Sequence, residues 1–169
     1  MFRPGHAKSV LANAGALPYT RSMAERITPE QALELVEDED FAYLDVRSIT
    51  EFDGGHPEGA FNVPLKHMVP GGMKDNGDFL KVIEQHFAKD AKLIVACKAG
   101  GRSKAAAALL EGAGYTNVRD QFAGWGGAKD EYGATLEAGW QAAGLPVALE
   151  AEEGRDYASL AKAAGADVP

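Results

Sequence analysis

The chain has a single cysteine, Cys97, which opens the run Cys97-Lys98-Ala99-Gly100-Gly101-Arg102-Ser103. Before it, Lys92-Leu93-Ile94-Val95-Ala96 reads as a short buried strand. After it, the alanine-rich stretch 104–110 reads as a helix. A thiol at a strand-to-helix junction meets converging backbone N–H groups and the positive end of the helix dipole. The glycine pair frees the backbone, so successive N–H groups can curl towards one point. Between residues 91 and 110 stand Lys92, Lys98, Arg102 and Lys104 and no acidic residue, a local inversion in a chain of net charge −8. These features make Cys97 the candidate nucleophile and its loop a candidate anion cradle.

Lowering a thiol's pKa has limited value by itself. A drop from about 8.5 to roughly 6.5 raises the thiolate fraction at neutral pH ~25-fold. The accompanying loss of nucleophilicity returns roughly 6- to 10-fold of that. Such a loop therefore serves better to hold charge on a covalent intermediate and on an anionic substrate. His6, His56, His67 and His86 all lie far from Cys97 in sequence, so no local Cys-His motif exists. That suits a reaction whose leaving group departs as a stable anion and needs no general acid. No Cys/His spacing supports a metal site, and Gly100-Gly101-Arg102-Ser103 lacks the Gly-Lys-Ser/Thr signature of a nucleotide loop.

These residues must be positioned by a fold, and the rest of the chain supplies its elements. Thr28-Pro29-Glu30-Gln31 marks a helix start, with Thr28 as cap, and the helix ends near Asp38-Glu39-Asp40. Strands are expected at 41–46, 60–63, 92–96 and 117–122. Helices are expected near 50–52, over 79–87 capped by Asp78, and over 103–113. Residues 69–78, with Pro70-Gly71-Gly72 and Asn76-Gly77, read as a loop. Two further helical pieces are expected at 133–143 and 155–164, with an extended segment at Gly144-Leu145-Pro146-Val147. Trp125 and Trp140 read as packing residues. The alternation implies an α/β domain with a mainly parallel sheet covered on both faces. Ligand sites of such sheets lie beyond the carboxyl ends of the strands, where Cys97 falls.

Asp45-Val46-Arg47, Glu51-Phe52, the run from Gly55-His56-Pro57 to Asn62-Val63-Pro64, and the Cys97 loop together resemble a single-domain rhodanese. Gly114-Tyr115, Asn117-Val118, Ala123-Gly124-Trp125 and Gly144-Leu145-Pro146-Val147 fit the same pattern. The resemblance implies a three-layer fold with a mainly parallel five-stranded sheet and helices on both faces. It divides the chain into an arm (1–24), the rhodanese-like domain (25–149) and a C-terminal helical extension (150–169). It also implies a sulfurtransferase without cofactor, in which Cys97 carries a persulfide and the backbone from Lys98 to Arg102 forms the cradle. Asp45 and Arg47 would be structural supports. Of the two loop cations, Arg102 is the better candidate to grip a substrate's oxygens, because its fork is bidentate. The segment 126–141 is longer than the pattern requires.

The expected donor is a small sulfur anion such as thiosulfate, which expels sulfite. The expected acceptor is cyanide, a small thiol or a protein thiol. A non-catalytic binding or sulfur-sensing module and a homodimeric polysulfide carrier are rival readings. A phosphatase or arsenate reductase on the same scaffold is another, but its arginine stands six positions after the cysteine. Here that position is Ser103, and Arg102 is the fifth. Seventeen basic against 25 acidic residues disfavour nucleic acid or an anionic membrane as partner. Residues 1–26 contain no continuous apolar core of a secretory signal, so a cytoplasmic location is expected.

Overall fold

The computed structural model describes residues 22–169. The arm expected over 1–24 therefore lies outside the described residues except for its end. There Ser22 Oγ and Met23 N both donate to the carboxylate of Glu111, at 2.7 and 2.9 Å.

The chain runs β1 (Glu25–Ile27), α1 (Pro29–Asp38), β2 (Ala42–Asp45), α2 (Ile49–Asp53), β3 (His56–Pro57) and β4 (Phe61–Asn62). It continues through β5 (Lys66–Val69), β6 (Gly72–Asp75), α3 (Phe79–His86), β7 (Leu93–Ala96), α4 (Gly101–Gly112) and β8 (Val118–Gln121). It closes with β9 (Ala128–Lys129), β10 (Thr135–Glu137), β11 (Val147–Ala148) and α5 (Tyr157–Ala164). Strands β1-β8-β7-β2-β4 form one parallel five-stranded sheet in that order.

Central strand β7 is apolar throughout because both its faces are covered. Leu93, Val95 and Cys97 face one core with α3, α4 and α5, while Ile94 and Ala96 face the other with α1 and Trp140. Two helices are fixed at their starts by reciprocal capping boxes. Thr28 Oγ1 accepts from Gln31 N while Gln31 Oε1 accepts from Thr28 N. Ser48 and Glu51 repeat the arrangement at α2.

Three expectations need correcting. Residues 69–78 are not all loop: β5 and β6 form a hairpin with Val69 opposite Gly72. Pro70-Gly71 makes its turn, with Gly71 at φ 93°, as a type II turn requires. Its second strand is exposed throughout, so no apolar alternation marked it in the sequence. Asp78 stands at the start of α3 but makes no side-chain cap. Asn76 Oδ1 accepts the Asp78 N–H instead, at 3.0 Å.

The segment 133–143 is not a helix. The β9–β10 hairpin occupies its first part, its tip closed by Asp130 Oδ1, which accepts from Tyr132 N and Ala134 N. At the base, Gly139 lies so close to the Trp125 carbonyl that a Cβ there would collide with it. The helix expected at 155–164 is present as α5, and it packs inward. Tyr157, Leu160 and Ala161 join the core of α3 and α4, and Asn76 Nδ2 donates to Tyr157 Oη at 3.1 Å. The extended segment at 144–147 leads into β11, which pairs antiparallel with β3.

Candidate active site

Cys97 directly follows β7 and precedes α4, at the carboxyl edge of the sheet. Gly100 turns the loop with φ 97°, a conformation that costs other L-residues about 1–2 kcal/mol. A Cβ there would also sit 2.6 Å from the Phe122 carbonyl oxygen. In this turn the Gly100 N–H donates to Cys97 Sγ at 3.1 Å. Ser103, in the first turn of α4, places Oγ 3.7 Å from the sulfur while donating to the Gly100 carbonyl at 3.2 Å. The amino end of the twelve-residue helix α4 thus stands beside the thiol, where its dipole favours negative charge.

The outer side of the loop is clamped by the segment after β8. Trp125 N donates to the Cys97 carbonyl at 2.8 Å and Gly126 N to the Lys98 carbonyl at 2.7 Å. In a trans peptide the N–H points opposite its carbonyl, so the Lys98 and Ala99 N–H groups are turned away from the clamp. Gly124, at φ 61°, makes the approach feasible, because a Cβ there would overlap the Cys97 carbonyl.

Asp45 and Arg47 stand behind this clamp. Arg47 donates to both Asp45 oxygens, at 2.7 to 3.1 Å, and to the Gly55 carbonyl at 2.8 Å, all buried. Its guanidinium lies 4.8 Å from the centroid of the Trp125 ring. The pair therefore braces Trp125, which in turn holds the cysteine's carbonyl. His56 is buried against Phe52, with Nδ1 2.8 Å from the Phe52 carbonyl.

The charge inversion seen in sequence is dispersed in space. Arg102, expected to offer its fork to substrate, spends it on Glu51: Nη1 and Nη2 donate to the two carboxylate oxygens at 2.7 and 2.9 Å. Burial pushes the Glu51 carboxyl up, but hydrogen bonds from Arg102 and Ser48 outweigh it and hold it down to about 2. Lys92 Nζ donates to the Glu39 carbonyl. Lys98 and Ala99 are exposed, with the Lys98 stem lying near Gly126, and Lys104 is exposed on α4. A window free of acids in sequence acquired one from another element.

Two residues gained significance only in space. Glu51 ties α2 to α4, and the Ser48-x-x-Glu51 capping box was the sequence signal that could have located it. Asp120 is buried on β8, and a lone acid in a strand carried no signal. Among the described residues, no group of three or more His, Cys, Asp or Glu side chains is placed to hold a metal ion.

The fold agrees with comparison to known proteins. The rhodanese-like domain profile matches residues 28–130. The chain belongs to the rhodanese-like domain family. It is 45% identical over 83 residues to thiosulfate sulfurtransferase 16, chloroplastic, of Arabidopsis thaliana, covering 49% of this chain and 69% of that one. With the thiosulfate sulfurtransferase GlpE of Actinobacillus succinogenes it shares 33% identity over 121 residues, covering 72% and 87%. Among solved structures, Rv0390 from M. tuberculosis superposes with a TM-score of 0.62 at 29% identity, covering 75% of this chain and 98% of that one. Other plant relatives are matched over about half their length. No helix among the described residues is long and apolar enough to cross a membrane.

Proposed function

We propose that this rhodanese-like protein is a sulfurtransferase that moves sulfane sulfur from a small anionic donor, thiosulfate or a polysulfide, to a thiophilic acceptor through a Cys97 persulfide. The observation that carries this reading is the Gly100 N–H aimed at Cys97 Sγ at 3.1 Å, beside the start of α4.

The Cys97 thiolate attacks the outer sulfur of thiosulfate. The new S–S bond forms as the old one breaks, and sulfite leaves with the bonding pair. The persulfide keeps one negative charge, now on the outer sulfur, close to the Gly100 N–H and the helix amino end. Cyanide or a thiolate then removes that sulfur and restores the thiolate. Lys98, Ala99, Gly101, Arg102 and Ser103 complete the loop around it, with Asp45 and Arg47 as its brace. Cys97 is only 3% exposed, which favours small donors. A protein thiol as acceptor would have to reach past the loop. A free thiol must stay reduced, and a cytoplasmic setting is part of this reading.

The Arg102–Glu51 pair supports sulfur transfer over phosphoryl or arsenate chemistry, since the loop's own guanidinium is committed to a carboxylate. Intact-mass spectrometry after thiosulfate treatment tests the proposal. The expected result is a gain of one sulfur atom, reversed by dithiothreitol and absent in Cys97→Ser. No mass gain from thiosulfate or polysulfide would favour the binding-module reading.

A further inference from the structure

Gln121 ends strand β8 with a wholly buried side chain whose polar atoms are all engaged. Its amide grips one residue from both ends. Oε1 accepts from Gly124 N at 2.7 Å, and Nε2 donates to the Gly124 carbonyl at 3.2 Å. The same Nε2 also donates to Tyr43 Oη at 3.1 Å. The amide cannot turn over, because a flip would set donor against the Gly124 N–H and acceptor against its carbonyl.

The turn held in this way is the seat of the cysteine loop. Gly124 lies against the Cys97 carbonyl and the Phe122 carbonyl against Gly100, each closer than a Cβ would allow. The Gly124 carbonyl and the Trp125 N–H belong to one peptide plane, and in a trans peptide they point in opposite directions. The carbonyl end accepts from Gln121 Nε2 and from Trp140 N, while the N–H end donates to the Cys97 carbonyl at 2.8 Å. The Cys97 carbonyl in turn shares its plane with the Lys98 N–H. A head-to-tail string of hydrogen bonds thus runs from the Gln121 amide through two peptide units into the loop, each bond polarising the next.

We propose that Gln121 is a positioning residue for sulfur transfer, setting the tilt of the Gly124–Trp125 peptide and through it the placement of Cys97. The inference rests on the sulfur-transfer reading for the reaction being positioned. Gln121 acts through Trp125 N and never touches the substrate. When its amide is removed, Trp140 N still tethers the Gly124 carbonyl, so the turn loosens without opening.

The test compares Gln121→Met with Tyr43→Phe. Each deletes a buried hydrogen bond of the same network, but only the first cuts the string, since Tyr43→Phe leaves both side-chain bonds to Gly124 in place. Two readouts are followed at a temperature where variants and wild type are all folded. One is the NMR scalar coupling across the hydrogen bond from Trp125 N–H to the Cys97 carbonyl, in the reduced full chain. The other is the rate of mass gain with saturating thiosulfate. Gln121→Met should weaken the coupling and slow loading about ten- to a hundredfold, as displaced reacting groups do. Tyr43→Phe should keep both at wild-type values while losing stability. Wild-type coupling or wild-type loading in Gln121→Met overturns the proposal. An equal slowing in Tyr43→Phe also overturns it, by tracing the effect to general loss of stability. Should Gln121→Met fail to fold, the shorter Gln121→Leu is held to the same expectations. The coupling needs no sulfur donor, so it still decides the proposal if the wild type takes up no sulfur, a result that would remove the transfer reading alone.

Discussion

Gly100 shows how much of the site rests on one residue. Its left-handed backbone aims the N–H at the sulfur, and its missing Cβ lets the loop sit against Phe122. Gly100→Ala should cost about 1–3 kcal/mol of stability through backbone strain, read from urea unfolding. The displaced N–H should also slow sulfur uptake about tenfold or more, since a loss of ~1.4 kcal/mol in transition-state stabilisation is a factor of ten. The rate of mass gain with thiosulfate measures this. An Ala variant that loads sulfur at the wild-type rate would remove Gly100 from the mechanism.

Among the elements, the strap between α2 and α4 has a pH signature. The Glu51 carboxyl is held near 2 in the fold against an ordinary value of 4.5. Its contribution is therefore fully present above 4.5 and fades as pH falls from there through about 2. Glu51→Gln keeps an oxygen able to complete the capping box and removes the charge together with one of the two acceptors for the Arg102 fork. It should cost up to about 1 kcal/mol at neutral pH, because the pair is partly solvated. Unfolding curves of variant and wild type should converge as the pH is lowered through that window.

The same elements show what could be read in advance. The capping box at Thr28, the apolar run of β7 and the glycine loop after Cys97 are local signals, and the structure places each where its residues indicated. Strand β1 has three residues and gains its identity from pairing with β8, a contact ninety-odd positions away. The β9–β10 hairpin depends on Gly139 meeting Trp125, which an alanine- and glycine-rich text does not reveal. The sequence likewise showed the cations around Cys97 but not Glu51, which neutralises one of them from a separate helix.

At the scale of the whole molecule, the terminal helix α5 sinks one face into the core. Leu160 is 2% exposed and packs with Tyr157 and Ala161 against α3, and its carbonyl lies 2.9 Å from His86 Nε2. Leu160→Ala should therefore cost about 2–5 kcal/mol in chemical unfolding, as for other buried leucines. At temperatures where the variant remains folded, sulfur uptake should match wild type, because α5 contributes no residue to the Cys97 loop. A surface-like cost well under 1 kcal/mol would show that α5 is a dispensable appendage.

The β9–β10 hairpin leaves the body of the protein from a fixed stem. Gly127 N bonds to the Ala123 carbonyl and Trp140 N to the Gly124 carbonyl, beside the backbone that secures Cys97. Its tip, by contrast, closes on itself through Asp130 and leaves Tyr132 and Leu136 in solvent. Insertions, deletions or new side chains at that tip are insulated from the chemistry by the knot at its root.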